Sequence, residues 1–107
     1  MPRPVTPDKL DPVLHERVRL TIVSMLAMVP ETTFGGLKEA LAVTDGNLSA
    51  HSRVLELAGY IEVRKFFRGR RPVTMMRLSA KGRQTFRRYL DVLQRIVEQG
   101  RSATKGA

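Results

Sequence analysis

TDGNLSAHSRVLELAGYIEV, residues 44 to 63, contains the change of periodicity that decides the fold. Thr44 is a helix cap with Asp45 just inside, where a negative side chain suits the helix N-terminus. Leu48, Leu55 and Ala58 then recur on one helical face, and Gly59 closes the helix at the position that favours left-handed geometry. Immediately afterwards YIEVRKFF alternates Ile61 and Val63 with Glu62 and Arg64, the period of a strand. A surface helix of a small protein usually carries Glu and Lys outward. This one offers Asn47, Ser49, His51, Ser52 and Arg53, short hydrogen-bonding groups and one guanidinium.

Downstream, PVTMMRL alternates Thr74, Met76 and Leu78 with Met75 and Arg77 and reads as a second strand. RGRR between the two supplies a glycine turn, so the pair is a β-hairpin with a cationic tip. Pro72, which has no N–H to donate, puts the start of the second strand at an edge. Ser79 caps a last helix running to Gly100, about 20 residues or about 30 Å. Its Phe86, Leu90, Leu93 and Val97 follow 4-3-4 spacing with Tyr89 and Ile96 beside them. That stripe is wider than short helices and a hairpin can cover, and a second copy would cover the remainder.

Upstream, DPVLHERVRLTIVSMLAMV places Asp11 as a cap with Pro12 at the first helical position. Leu14, Val18, Ile22, Met25, Leu26 and Val29 recur at helical spacing, predicting a long first helix stopped near Pro30. In TTFGGLKEALAV, Thr33 caps a short second helix with Leu37, Ala40 and Leu41 on its buried face. Two short helices joined tightly, the second polar at its start, form a helix-turn-helix pattern. Residues 1–10, with three prolines, read as a flexible arm, residues 11–99 as one domain, and residues 100–107 as a frayed tail.

The 107 residues hold 42% apolar side chains, enough for one core. Without cysteine there is no disulfide framework, thiolate metal site or Cys nucleophile. No apolar run has the length of a signal peptide or a membrane span, so the expectation is a soluble, cytoplasmic protein with no membrane partner. Of the 19 basic residues, ten lie between Arg64 and Arg88, where no Asp or Glu occurs. The rest of the chain carries nine basic and ten acidic residues, so the whole net charge of +9 is concentrated in one quarter of the sequence. Such a segment calls for a polyanionic partner. Two histidines and scattered acids give no metal constellation, and no Ser-His-Asp set or phosphate loop stands out. Neither an enzyme nor a cofactor is expected.

The order helix, helix, helix, hairpin, long helix makes an α+β, mostly α fold, and the residues resemble those of small winged helix-turn-helix transcriptional regulators of the MarR and ArsR types, in the short single-domain subfamily. The resemblance runs from about Leu10 to Val97 through LHERVRL, TDGNLSAH, LAGYIEV, GRRPVT and RLSAKGR in order. Two positions depart from it: Ser52, where relatives commonly have Leu, and Leu57, where they commonly have a charged residue. The resemblance implies a third helix that enters the major groove of double-stranded DNA, a hairpin wing along the backbone or minor groove, and terminal helices that build a homodimer. The dimer contacts it implies are Leu14, Val18, Phe86, Tyr89, Leu90, Leu93, Ile96 and Val97. A small-molecule effector would sit in the dimer cleft between the first and last helices, although no residue marks such a pocket.

With Leu48 inward and about 100° per residue, Gly46, Ser49, Ala50 and Arg53 point outward, with Asn47 at the margin. Base edges in the major groove match amides, hydroxyls and guanidinium groups, so Ser49 and Arg53 are expected on bases. Asn47 and Thr44 are expected on a base edge or a phosphate near the helix start, and Gly46 and Ala50 permit close approach. Arg64, Lys65, Arg68, Arg70, Arg71 and Arg77 form the wing's phosphate track. Arg83, Arg87 and Arg88 are divided between that track and a solvated face. His51 is either a structural histidine or a phosphate contact. The favoured function is a homodimeric repressor on a near-palindromic operator. The alternatives are a protein-contact module using Leu57 with Met75 and Met76, and a binder of RNA or anionic surfaces.

Overall fold

The computed structural model describes residues 3–106, so Met1 and Pro2 of the expected arm and Ala107 of the tail lie outside the described residues. Four helices and a three-stranded antiparallel sheet follow one another as α1 (Arg17–Leu26), β1 (Thr32–Thr33), α2 (Phe34–Leu41), α3 (Asp45–Leu57), β2 (Ile61–Arg68), β3 (Arg71–Leu78) and α4 (Ala80–Thr104). The sheet order is β1-β3-β2. Its inner face contributes Ile61, Met76 and Leu78 to a core completed by Leu14, Ile22, Val23, Leu26, Leu37, Leu48 and Leu55. Leu48 and Leu55, two turns apart, are fully buried and fix which face α3 turns outward.

The first helix departs from its expected start. Asp11 does cap, its Oδ1 accepting from the amides of Val13 at 2.8 Å and Leu14 at 3.2 Å, but it closes only a single turn. Glu16 then takes extended backbone, φ −147°, and its carboxylate accepts from the Arg19 amide to begin α1 at Arg17. The break has tertiary causes absent from local pattern: the Tyr60 hydroxyl donates to Asp11 Oδ2, His15 Nδ1 lies 2.9 Å from the Tyr89 hydroxyl, and Leu14 between them is fully buried. At its other end α1 stops at Leu26, leaving Met28 and Val29 exposed.

Two further differences concern the sheet and α2. The strand β1 has no alternating pattern of its own; it exists because Thr32 and Thr33 pair with Met76 and Met75 of β3. The pairing reaches only those two residues, so β3 is central there, while Pro72 lies on a stretch with β2 as its sole neighbour. Leu37 is buried as expected, but Ala40 is exposed. Thr33 accepts from the Gly36 amide as the cap of α2.

Helix α4 runs through Gly100 to Thr104, a length of about 37 Å for its 25 residues, which makes the molecule 63 Å long and only 26 by 21 Å across. Glycine has no side chain to stop a helix, and a single one in its interior is tolerated. The arm is tethered: both backbone polar groups of Val5 bond the Gln99 side chain, at 3.0 and 2.7 Å, after which Pro7–Lys9 makes a 3-10 turn. Of the residues expected at a dimer contact, Leu14, Val18, Phe86 and Tyr89 are buried within the single chain and present almost no surface to a second copy. Leu90 and Val97 remain 44% and 48% exposed, and Leu93 and Ile96 are half-buried.

Candidate nucleic-acid interface

The first half of the site is the outer face of α3. Thr44 Oγ1 accepts from the Asn47 amide at 3.1 Å, leaving its hydroxyl hydrogen to donate outward. Ala42, in left-handed backbone at φ 53°, makes the sharp turn from α2, and Lys38 bridges to Asp45 at 2.8 Å across it. Thr44, Gly46, Asn47, Ser49, Ala50, Arg53 and Leu57 are all exposed; Ser49 and Arg53 face the hairpin, while Asn47 lies on the flank beside α1. A Cβ added at Gly46 would meet no protein atom, so nothing in the packing of the fold requires glycine there.

The second half is the hairpin. Its register pairs Arg68 with Arg71 across a two-residue turn, Gly69-Arg70. Gly69 has φ +64° and Arg70 does not share it, which fits the II′ class with glycine at the first central position. Strand alternation divides the side chains. Ile61, Val63, Lys65 and Phe67 lie on the face that begins in the core and continues outward beside α3, while Glu62, Arg64, Phe66 and Arg68 lie on the other. On that other face Arg64 is 3.7 Å from Glu31 and stacks over Phe66 at 4.7 Å, and Arg77 is 3.0 Å from Glu62. The wing cations are therefore of two kinds: Arg64 and Arg77 have carboxylate neighbours, whereas Lys65, Arg68, Arg70 and Arg71 have none among the described residues.

Between the two halves lies an open cleft of about 480 Å³, lined by Ser49, Ser52, Arg53 and Glu56 from α3, by Val63, Lys65, Thr74 and Met76 from the hairpin, and by Phe34. Ser52 is buried at its back, and its hydroxyl has no hydrogen-bond partner among the described residues. An unmade bond of this kind costs about 1–3 kcal/mol, which explains why an apolar residue suits the position better. Of the residues named for a protein-contact surface, Leu57 is 75% exposed, Met75 is half-buried and Met76 is buried in the core.

His51 faces inward, half-buried. Its Nδ1 is 3.1 Å from Arg19 Nη1, from which it accepts when the ring is neutral, and 3.4 Å from Glu16 Oε2, which it faces as a cation when protonated. The turn before α1 thus touches α3 through His51, the end of that helix through Tyr60, and α4 through Tyr89. Burial pushes the Tyr60 phenol up to about 12, helped by its hydrogen bond to Asp11 and the charge there. Burial also acts to raise the Glu16 carboxyl, but the Arg19 and Val18 amides and the charges of His51 and Arg19 outweigh it and hold the group below its ordinary 4.5. A carboxyl lowered in the fold contributes stability that is present above its unfolded value and lost as pH falls through the folded one. Glu16→Gln is accordingly expected to flatten the acid limb of melting temperature against pH, measured from about pH 7 to about pH 3, and to cost about 1 kcal/mol near neutrality as a weakened cap.

The structure brings Ser49, Arg53 and Lys65 to one cleft, puts Asn47 in a separate groove beside α1 and leaves Arg64, Arg68 and Arg77 on the other face of the hairpin; it adds the Glu31 and Glu62 pairings, Phe67 and Gly82, which local pattern does not single out. Strand alternation carried a signal for Phe67, since it continues the Ile61, Val63, Lys65 row. Residues 18–97 match the family model described as winged helix DNA-binding domain. The uncharacterized protein MJ0432 of Methanocaldococcus jannaschii is 35% identical over 83 residues, 77% of this chain and 90% of that protein. The solved structure of a transcriptional regulator homologue from Pyrococcus horikoshii OT3 is 30% identical with a TM-score of 0.77, covering 81% of this chain and 86% of the other. The crystal structure of MarR shares the fold at 17% identity, with a TM-score of 0.76, covering 94% of this chain and 73% of MarR.

Proposed function

The chain belongs to the winged helix DNA-binding domain family, and from that premise we propose that it is a cytoplasmic, homodimeric transcriptional repressor that reads a near-palindromic operator with α3 in the major groove. A family built for DNA binding calls for recognition and not for catalysis. The observation that carries the reading is the cleft shared by Ser49 and Arg53 of the exposed α3 face and Lys65 of the wing, whose Lys65, Arg68, Arg70 and Arg71 have no carboxylate partner among the described residues. In this reading Ser49 and Arg53 read base edges, Thr44 and Asn47 hold the helix start on the backbone, and Gly46 and Ala50 let the helix sit deep in the groove. The tip provides the sequence-independent attraction. Arg64 and Arg77 contribute less than their number suggests, because their charge is offset by Glu31 and Glu62.

The exposed Leu90 and Val97 on α4 support the dimer, with Leu93 and Ile96 flanking them. Repression is the outcome that occupancy of a promoter site produces by itself. An effector would find room in an open cleft of about 580 Å³ between the N-terminal segment and α4, walled by Leu10, Tyr89 and Val92 and flanked by Lys9, Arg88 and Arg95.

Selection of bound duplexes from a random pool tests the whole reading. An inverted repeat with half-sites about one helical turn apart is the expected product. A single unrepeated site would remove the dimer, and no enrichment would remove sequence-specific regulation. Arg53→Ala is expected to lose about 1–3 kcal/mol of discrimination at one base pair while random-sequence affinity changes little. Equal loss on both kinds of DNA, measured by fluorescence anisotropy, would make Arg53 a phosphate contact.

A further inference from the structure

Two neighbouring phenylalanines in β2 have opposite fates. Phe66, on the face away from α3, is covered by the Arg64 guanidinium at 4.7 Å and the Arg68 guanidinium at 6.0 Å. Phe67, on the face shared with Lys65, is 73% exposed. Its cross-strand partner is Pro72, a second apolar group, and the pair sits one step before the Arg68–Arg71 closure of the hairpin. An aromatic ring left in water forgoes the free energy of burial, and contiguous apolar surface at a functional edge marks contact.

The charge around the ring identifies what covers it. Lys65 shares the face of the pair and Arg70 stands in the turn next to it, neither with a carboxylate within ion-pair distance among the described residues, so the covering surface is polyanionic. Its position in the row that begins at Val63 and Lys65 and lines the cleft beside Ser49 and Arg53 puts it on the side of the base-reading face. A phosphate backbone has nothing to offer an aromatic ring, whereas a base step does: apolar wedges enter the minor groove between base pairs, unstack them and bend the duplex.

We propose that Phe67, backed by Pro72, is a wedge that inserts between two base pairs in the minor groove flanking each half-site, opening that groove and bending the duplex towards its major groove. The inference rests on the DNA-binding reading above. Pyrimidine–purine steps unstack most easily, so the protein discriminates at a position that α3 never touches, by deformability and not by hydrogen bonds.

The test uses the full chain and a duplex of about 30 bp recovered by the selection, with 2-aminopurine in a TA step flanking the half-site and a dye pair on the ends. Wild type is expected to raise 2-aminopurine fluorescence and shorten the end-to-end distance. Phe67→Ala is expected to bind about tenfold more weakly with an unchanged salt slope, and to lose both signals. Phe67→Leu, which keeps an apolar wedge, restores most of both. An exposed side chain is not needed for folding, and unchanged thermal melts verify this for each variant. Unstacking and bending that persist in Phe67→Ala, or that are absent in the wild-type complex, overturn the wedge and leave the ring to a protein partner, with the regulator reading intact. If wild type retains no duplex even at low salt, the regulator reading falls first and the wedge with it.

Discussion

Gly82→Ala is expected to be the most damaging single substitution in this chain. A Cβ at this position would lie 2.0 Å from the Tyr60 carbonyl oxygen and 2.8 Å from its carbon. Both are backbone atoms, so no rotamer change relieves the clash. The approach is close because two bonds draw the start of α4 onto the turn after α3, the Ser79 amide donating to the Tyr60 carbonyl at 3.0 Å and Ser79 Oγ donating to the Gly59 carbonyl at 2.6 Å, while the same Oγ caps α4 by accepting from the Gly82 amide at 2.9 Å. Relief requires α4 to lift from that turn, breaking those two bonds and disturbing the buried Phe86 and Tyr89 one and two turns on. Overpacking typically costs 1–3 kcal/mol, and a clash against backbone belongs at about 3 kcal/mol or above. For a domain of this size that lowers the melting temperature by roughly 15 °C or more. A fall of a few degrees would mean that α4 is free to shift, and that its angle to α3 is less firmly set than these bonds indicate.

The largest effect on binding is expected from the triple substitution of Arg68, Arg70 and Arg71 by alanine. Each phosphate neutralised steepens the dependence of log affinity on log salt by about 0.9, so removing three should lower the slope by about 2.7 and weaken binding at low salt by on the order of 100-fold. Arg77→Ala is the informative companion. Its guanidinium already sits 3.0 Å from Glu62, so its loss should change the slope by well under one phosphate's worth. Equal slope changes per residue at Arg77 and at the tip would mean that the Glu62 pair opens on binding, and that the wing lies flat along the backbone and does not reach in with its tip. Neither variant should alter thermal stability appreciably, since all four residues are exposed.

The parts of the site that were legible in the sequence are those coded by short-range rules. The cap at Thr44, the apolar spacing of Leu48 and Leu55, and the glycine at 59 define α3 and its outward face without reference to anything distant. The hairpin follows from alternation and from a glycine in a two-residue turn. Illegible were the features whose cause lies far along the chain. The Asp11 cap signature was read as the start of one long helix, but Tyr60 holds Asp11 from 49 positions away and the helix starts anew at Glu16. Thr32 and Thr33 become a strand only because β3 passes beside them. Leu14, Val18, Phe86 and Tyr89 show the same apolar periodicity as Leu90 and Val97, so spacing cannot separate the protomer's own core from a surface left for a second copy.

By itself, then, the sequence determined the order of elements, the family to which the chain belongs, the outward face of α3 and the concentration of positive charge at the hairpin, because each is set by the local period and chemistry of consecutive residues. The tertiary structure alone decided which of those charges are free and which are matched by Glu31 and Glu62, that Gly82 is a contact point and not a helix blemish, and that Phe67 stands in water beside the cationic turn. Those depend on which distant residue arrives within a few ångströms, and packing settles that where periodicity is silent.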